Sequence, residues 1–359
     1  MRSTSEKQSR GQSQSTTILT PDRGGYMTGR GERWPGNARN YYNVPLITKA
    51  HWSWEIVLYF FLGGLAGGSF LVSSLASLFG FKKSESIIRV GRYIAFGSVL
   101  ISPVLLIKDL GRPERFYNML RVFKLRSVMS IGTWALSSFG LFCGLATAHQ
   151  AAKDGLLNWF PLMARLLKAL PIKVIEGIGS LCGIVVATYT GVLLAATAVP
   201  VWAKARKILG PLFFTSGLST ALAAISLILS LGHRQRNKEA LDHLERAETI
   251  AATTELGLIA ALVPTLGALG KPLFTGRDGA LLFGGTVSSG LIAPLLLRLG
   301  WRLAGKSASR EVTIVSSLLV LVGGLILRYV WIDAGRKSAD DPQAVHLYNE
   351  IEWREKHRS

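Results

Sequence analysis

Tyr59-Phe60-Phe61-Leu62-Gly63-Gly64-Leu65-Ala66-Gly67-Gly68-Ser69-Phe70 carries no charge, and the apolar run around it covers about 54–80. A helix of about 20 apolar residues crosses the hydrocarbon core of a bilayer, so this run is long enough to span. Working outward, seven more such runs lie at about 88–108, 128–148, 172–200, 209–231, 253–269, 279–299 and 311–334. The sixth is the weakest, because Glu255, Pro264 and Gly267 interrupt it. The chain is 49% hydrophobic with a formal net charge of +19, and its mean hydropathy is +0.32. Most of its Lys and Arg fall between the runs, which is the membrane pattern. They do not mark one face of a soluble domain, so lipid head groups and an acidic partner explain them better than nucleic acid. The reading is an all-α integral membrane protein of about eight transmembrane helices.

Residues 1–50 differ in kind: the first 17 are rich in Ser and Gln, and 21–45 carry Gly, Pro, Arg, Trp34, Tyr41 and Tyr42. They read as a polar, partly disordered arm, either a flexible tail or a segment that orders against a partner. No apolar stretch precedes Trp54, so the first span is expected to act as its own insertion signal. Residues 51–336 form the membrane domain, and 337–359 read as a charged tail.

What is missing narrows the chemistry. Bis-histidine haem needs His residues on facing helices inside the membrane. His51, His149, His233, His243, His346 and His357 all fall at span ends or outside. Two cysteines, Cys143 and Cys182, are too few for an iron–sulfur cluster and read as small packing residues. The expectation is a chain with no haem and no cluster of its own. If it handles electrons, a bound quinone and a neighbouring subunit must supply the redox groups.

Eight spans put both termini on one side, here called side A. Odd spans then run from A to B and even spans return. Glu55 and His51 start the first span at A, and Asp109 and Arg112 end the second there. Tyr189 lies toward A in the fourth span, and Arg328 on the A half of the eighth. Charges inside a bilayer cost several kcal/mol unless paired or hydrated, so Arg112 or Arg328 is expected to face Glu55 or Asp109 around one polar cavity. A quinone head group needs hydrogen-bond donors for two carbonyl oxygens, for which His51 and Tyr189 are candidates, with Glu55 and Asp109 as proton relays. The bland alternatives are surface salt bridges for the two acids and interfacial anchoring for His51 and Tyr189. On side B, Glu176, Glu255 and Glu311 each sit at the start of a predicted span, where the helix dipole favours a carboxylate.

Gly63/Gly67 and Gly64/Gly68 form two overlapping GxxxG pairs, which let another helix backbone approach closely, or leave a gap for a flat quinone tail. Two sequence echoes accompany them. Leu110-Gly111-Arg112-Pro113 returns as Leu269-Gly270-Lys271-Pro272, and Phe60-Phe61-x-x-Gly64-Leu65 returns as Phe213-Phe214-x-x-Gly217-Leu218. Similar offsets and equal helix directions point to a parallel duplication of a four-helix bundle, with halves of about 51–204 and 205–336.

The run Asp109-Leu110-Gly111-Arg112-Pro113-Glu114-Arg115-Phe116 and the glycine-rich first span together resemble the NrfD/PsrC family, the integral membrane subunits of polysulfide reductase-like complexes. The resemblance extends to Arg126-Ser127-Val128-Met129-Ser130-Ile131-Gly132-Thr133-Trp134, Tyr189-Thr190-Gly191 and Gly323-Gly324-Leu325-Ile326-Leu327-Arg328-Tyr329. It implies eight helices in two four-helix bundles, in a bacterial or archaeal cytoplasmic membrane. It also implies a site for menaquinone or ubiquinone near the surface where a ferredoxin-like iron–sulfur subunit docks. A molybdopterin subunit or a multihaem cytochrome often completes such complexes. By that likeness, Arg112 and Arg328 join His51 and Tyr189 as candidate quinone contacts. A non-catalytic anchor or assembly subunit is the first rival, and a secondary transporter, which also uses repeats and broken helices, is the second.

Overall fold

The structure, a computed structural model, describes residues 47, 52–80, 84–110, 113–121, 123–124, 127–232, 238–303 and 309–357. The N-terminal arm, residue 47 apart, and the site candidates His51 and Arg112 lie outside them. Among the described residues, eight helices are long and apolar enough to cross a membrane: α1 Trp54–Leu78, α2 Glu85–Asp109, α3 Val128–Lys153, α4 Ile172–Ala195, α5 Arg206–Leu231, α6 Lys238–Phe274, α7 Gly276–Trp301 and α8 Arg310–Asp340. Each overlaps one of the expected runs. Two differences matter. The sixth helix begins at Lys238, far ahead of its apolar stretch, because 238–252 is polar and helical at once. The segment read as a charged tail continues α8 and then forms a further helix, α9, at Pro342–His357.

Local signals explain the ends. Ser127 Oγ accepts from the backbone N–H of Ser130 at the start of α3, and Ser309 Oγ does the same for Val312 at the start of α8, satisfying donors that have no partner inside the helix. Helix α2 stops at Asp109, where Leu110 turns extended and Pro113 opens a short 3-10 turn. In α7 the stretch Leu281–Ile292 is wound as a π-helix, wider than an α-helix.

Helices α1 to α4 pack in cyclic order, and α5 to α8 do likewise, with α1 also against α5 and α8 and with α4 against α5. The glycines of α1 set this closeness. A Cβ at Gly67 would strike the backbone carbonyl of Gly183 on α4, and one at Gly68 would come within 2.7 Å of the Gly217 carbonyl on α5. The gap that could have admitted a quinone tail is therefore filled by helix backbones. Gly64 faces its own echo, Gly217, and Phe60 meets its echo Phe213 edge-on with ring centroids 6.2 Å apart. Outward, Leu100, Val104, Leu141 and Leu181 are exposed, as lipid-facing side chains should be.

Among the described residues, side B holds two buried ion pairs. Arg92 of α2 pairs with Glu176 of α4 and donates to Gln150 Oε1 at 2.8 Å. Arg298 of α7 pairs with Glu248 of α6, whose other oxygen accepts from Ser226 at 2.5 Å. Glu176 is thus the counter-charge of a buried arginine, beyond the favourable helix-end position expected for it. Removing one partner of such a pair leaves an uncompensated charge. Arg92→Met should therefore destabilise the protein by about 3–5 kcal/mol, and Arg92→Met with Glu176→Leu should recover much of that loss. Thermal unfolding in detergent, followed by circular dichroism, checks both; a double variant as unstable as the single one would contradict it.

Candidate functional site

Glu55 and Asp109 come together at side A. The link is Ser53, which precedes α1: its hydroxyl contacts a Glu55 carboxylate oxygen and lies 2.5 Å from Asp109 Oδ1. The Ser53 backbone N–H also points at Asp109 Oδ1, at 3.4 Å. Lys108 Nζ stands 3.4 Å from Glu55 Oε1 and 5.0 Å from the centre of the Trp54 ring. Glu55 is buried although it belongs to the first turn of α1.

One turn deeper on the same face of α1 lies Tyr59, at the i+4 position from Glu55. It is buried, and it is close enough to Tyr189 of α4 for the two phenols to interact electrostatically. Among the described residues, neither hydroxyl has a hydrogen-bond partner. The Tyr189 ring occupies the place where a side chain at Gly132 of α3 would begin. Gly132 and Tyr189 belong to different sequence signatures, and this contact is what joins them. Sequence reasoning passed over Tyr59 because it sat inside a run read for its glycines. The helical spacing from Glu55 was the signal that could have found it.

Arg328 is elsewhere. Its guanidinium contacts Ser216 Oγ and donates to the carbonyl oxygens of Gly324 at 2.9 Å and Phe213 at 3.4 Å. It also lies over the Phe213 ring, 5.4 Å from its centre. Glu255 of α6 is near enough to the guanidinium to interact with it electrostatically, and Ser216 lies close to both. The expected pairing of Arg328 with Glu55 or Asp109 does not occur. The reason is rotational: Arg328 points from α8 toward α5 and α6, and Gly64 of α1 leaves the room it fills. Glu255 is likewise not a helix-start acid. Its helix begins at Lys238, which puts it 17 residues inside. Missing the polar beginning of α6 caused that misplacement.

Cys143, Cys182 and His149 show ordinary packing. Among the described residues, no group of three or more His, Cys, Asp or Glu could hold a metal ion. Cys143 is buried and Cys182 half-buried, both as free thiols. His149, at the B end of α3, meets the Leu167 carbonyl at 2.9 Å.

With this geometry in view, comparison with known proteins is informative. The family model for polysulphide reductase NrfD matches residues 46–338, and the chain belongs to that family. It is 27% identical to the NrfD homologue of Haemophilus influenzae over 322 residues, which cover 82% of this chain and 98% of that one. It is 26% identical to one of the chains of the polysulfide reductase of Wolinella succinogenes, over 79% of this sequence and 94% of that one. A shorter stretch of 82 residues is 30% identical to the integral membrane subunit of an Hdr-like menaquinol oxidoreductase of Archaeoglobus fulgidus, covering 23% of this chain and 21% of that one.

The Gly132–Tyr189 contact yields a test of what Tyr189 does for the fold. Gly132→Ala should cost about 1–3 kcal/mol by overpacking. Tyr189→Phe, which removes only an unpartnered hydroxyl, should change stability by less than about 0.5 kcal/mol. Unfolding midpoints of the two variants in one detergent decide this; a strongly destabilised Tyr189→Phe would give the hydroxyl a structural role.

Proposed function

We propose that this chain is the membrane subunit of a respiratory oxidoreductase complex and that it exchanges electrons between membrane quinone and an iron–sulfur subunit docked at side A. The observation that carries the reading is the pair of buried phenols, Tyr59 and Tyr189, with no partner among the described residues, one turn below the Glu55–Ser53–Asp109 trio. Phenol hydroxyls that no protein group engages are free to donate to a ligand with acceptor oxygens. The names of two relatives, one from a polysulfide reductase and one from a menaquinol oxidoreductase, agree with that class.

Menaquinone or ubiquinone, when bound, supplies the two-electron chemistry. The work of the protein itself is to hold and to move protons. Tyr59 and Tyr189 orient the head group by donating hydrogen bonds to its oxygens. Glu55 and Asp109, with Ser53 between them, hold a proton and pass it to the side-A surface, where half-exposed Lys108 stands. Bilayer hydrocarbon offers no proton, so a carboxylate route to water is a requirement of the reaction. Direct transfer to a docked ferredoxin-like subunit favours a quinone near the membrane surface, which is where these groups lie. A molybdopterin or multihaem subunit would stand beyond that cluster. His51 and Arg112, which adjoin Trp52 and Leu110 closely in sequence, remain candidates for the same site.

A titration with a menaquinol analogue whose fluorescence changes on binding tests this. Tyr59→Phe with Tyr189→Phe should weaken binding about tenfold or more, the loss of one or two buried hydrogen bonds. Glu55→Gln should leave binding within about threefold while slowing quinol oxidation in the assembled complex. Saturable binding that the double tyrosine variant leaves unchanged would move the site, and no binding at all would leave a passive anchor.

A further inference from the structure

On the other flank of α1, away from Tyr189, lies a cleft of about 540 Å³ between α1, α7 and α8. That is within the range of small-molecule sites, about 300–1,000 Å³. Its floor is apolar, with Leu58 and Leu325, and its side-A mouth is aromatic and charged, with Trp54, Tyr329, Asp333 and Arg336. Trp54 is 60% exposed and Leu325 is 37% exposed, so the cleft opens sideways to the bilayer. The two acids nearby are taken: Lys337 Nζ stands 2.9 Å from Asp333 and 2.7 Å from Asp278. Arg336 is half-buried and has no ion-pair partner among the described residues. A cation at a membrane interface without a counter-charge, above an apolar slot, lacks an anion with a hydrocarbon tail.

The depth fits that description. Leu325 and Arg336 are eleven residues apart on one helix, or about 16 Å of rise. One leaflet of hydrocarbon is about 15 Å deep. From these observations we infer that the cleft holds a phospholipid of the side-A leaflet, its phosphate on Arg336 and an acyl tail along Leu58 and Leu325. Arginine binds phosphate with paired, charge-assisted hydrogen bonds, and Trp and Tyr favour the head-group level. A neutral quinone ring would leave the guanidinium without a counter-charge, which is why the phosphate is the better occupant. Ser53 borders this cleft as well as bridging Glu55 and Asp109. A lipid seated here closes the bilayer flank of the acid trio, so water reaches the trio from the side-A surface alone.

Native mass spectrometry of the full chain, stripped of lipid and then exposed to vesicles of phosphatidylglycerol, tests this. The wild type should carry one phospholipid per protein. Arg336→Gln should lower its occupancy about tenfold, the loss of one charged hydrogen-bonded contact, while Arg336→Lys keeps more of it. Leu325→Trp, which fills the apolar floor and leaves the charge, should lower it as well. Inorganic phosphate alone should give no adduct. Equal lipid retention in all four proteins would overturn the proposal, as would a phosphate adduct that persists in Leu325→Trp. A quinone retained in place of phospholipid, and lost in Leu325→Trp, would overturn it too.

Discussion

Backbone contact between α1 and two of its neighbours, α4 and α5, is the constraint from which the other positions follow. In a bilayer, apolar side chains gain little by leaving lipid for one another, so helices associate through close packing and hydrogen bonds. Gly67 against Gly183, and Gly64 and Gly68 against Gly217, give that closeness at one level of one helix. Because α1 is clamped on both flanks, its remaining faces are fixed in rotation. Glu55 and Tyr59 are thereby held toward Tyr189, while Leu58 is held toward α7 and α8.

The same clamp decides where charge can be tolerated. Gly64 leaves the space that the Arg328 guanidinium fills, and α5 supplies the Ser216 hydroxyl and the Phe213 carbonyl that receive its protons. A buried arginine so enclosed is a structural element of the α1, α5, α6 and α8 junction, with Glu255 close enough to interact electrostatically. On side B the pair Arg92–Glu176 ties α2 to α4 across the first four helices, and Glu248–Arg298 ties α6 to its neighbour α7. Such pairs are expensive to bury, and they fix which helix meets which. The side-A trio is different in kind. It joins two acids through one hydroxyl, with a lysine more than half exposed beside them.

Much of this was readable in advance. The number of spans, their order and direction, the grouping of Glu55 with Asp109 and the close approach at the GxxxG glycines all follow from one-dimensional patterns. Hydropathy sets the spans because the bilayer admits no unsatisfied backbone, and an even count puts both termini on one side. Side-chain partners across the bundle were not readable in the same way. Arg328 lay at a depth compatible with Glu55 and Asp109, but depth says nothing of rotation about the helix axis. Glu255 was misplaced because a helix can begin in polar residues before its apolar stretch, and hydropathy does not see that part.

By itself, then, the sequence determined an eight-span membrane protein with a polar gathering at one end, since length, charge and periodicity respond directly to the bilayer. Tertiary structure alone decided which polar residues meet. It set Tyr59 beside Tyr189, placed Ser53 between two acids, brought Arg328 near Glu255 and left Arg336 over an apolar cleft. Each of these depends on the rotation and separation of helices far apart in the sequence. Those are fixed by where glycine lets two backbones touch, a property of pairs of helices and not of any one segment.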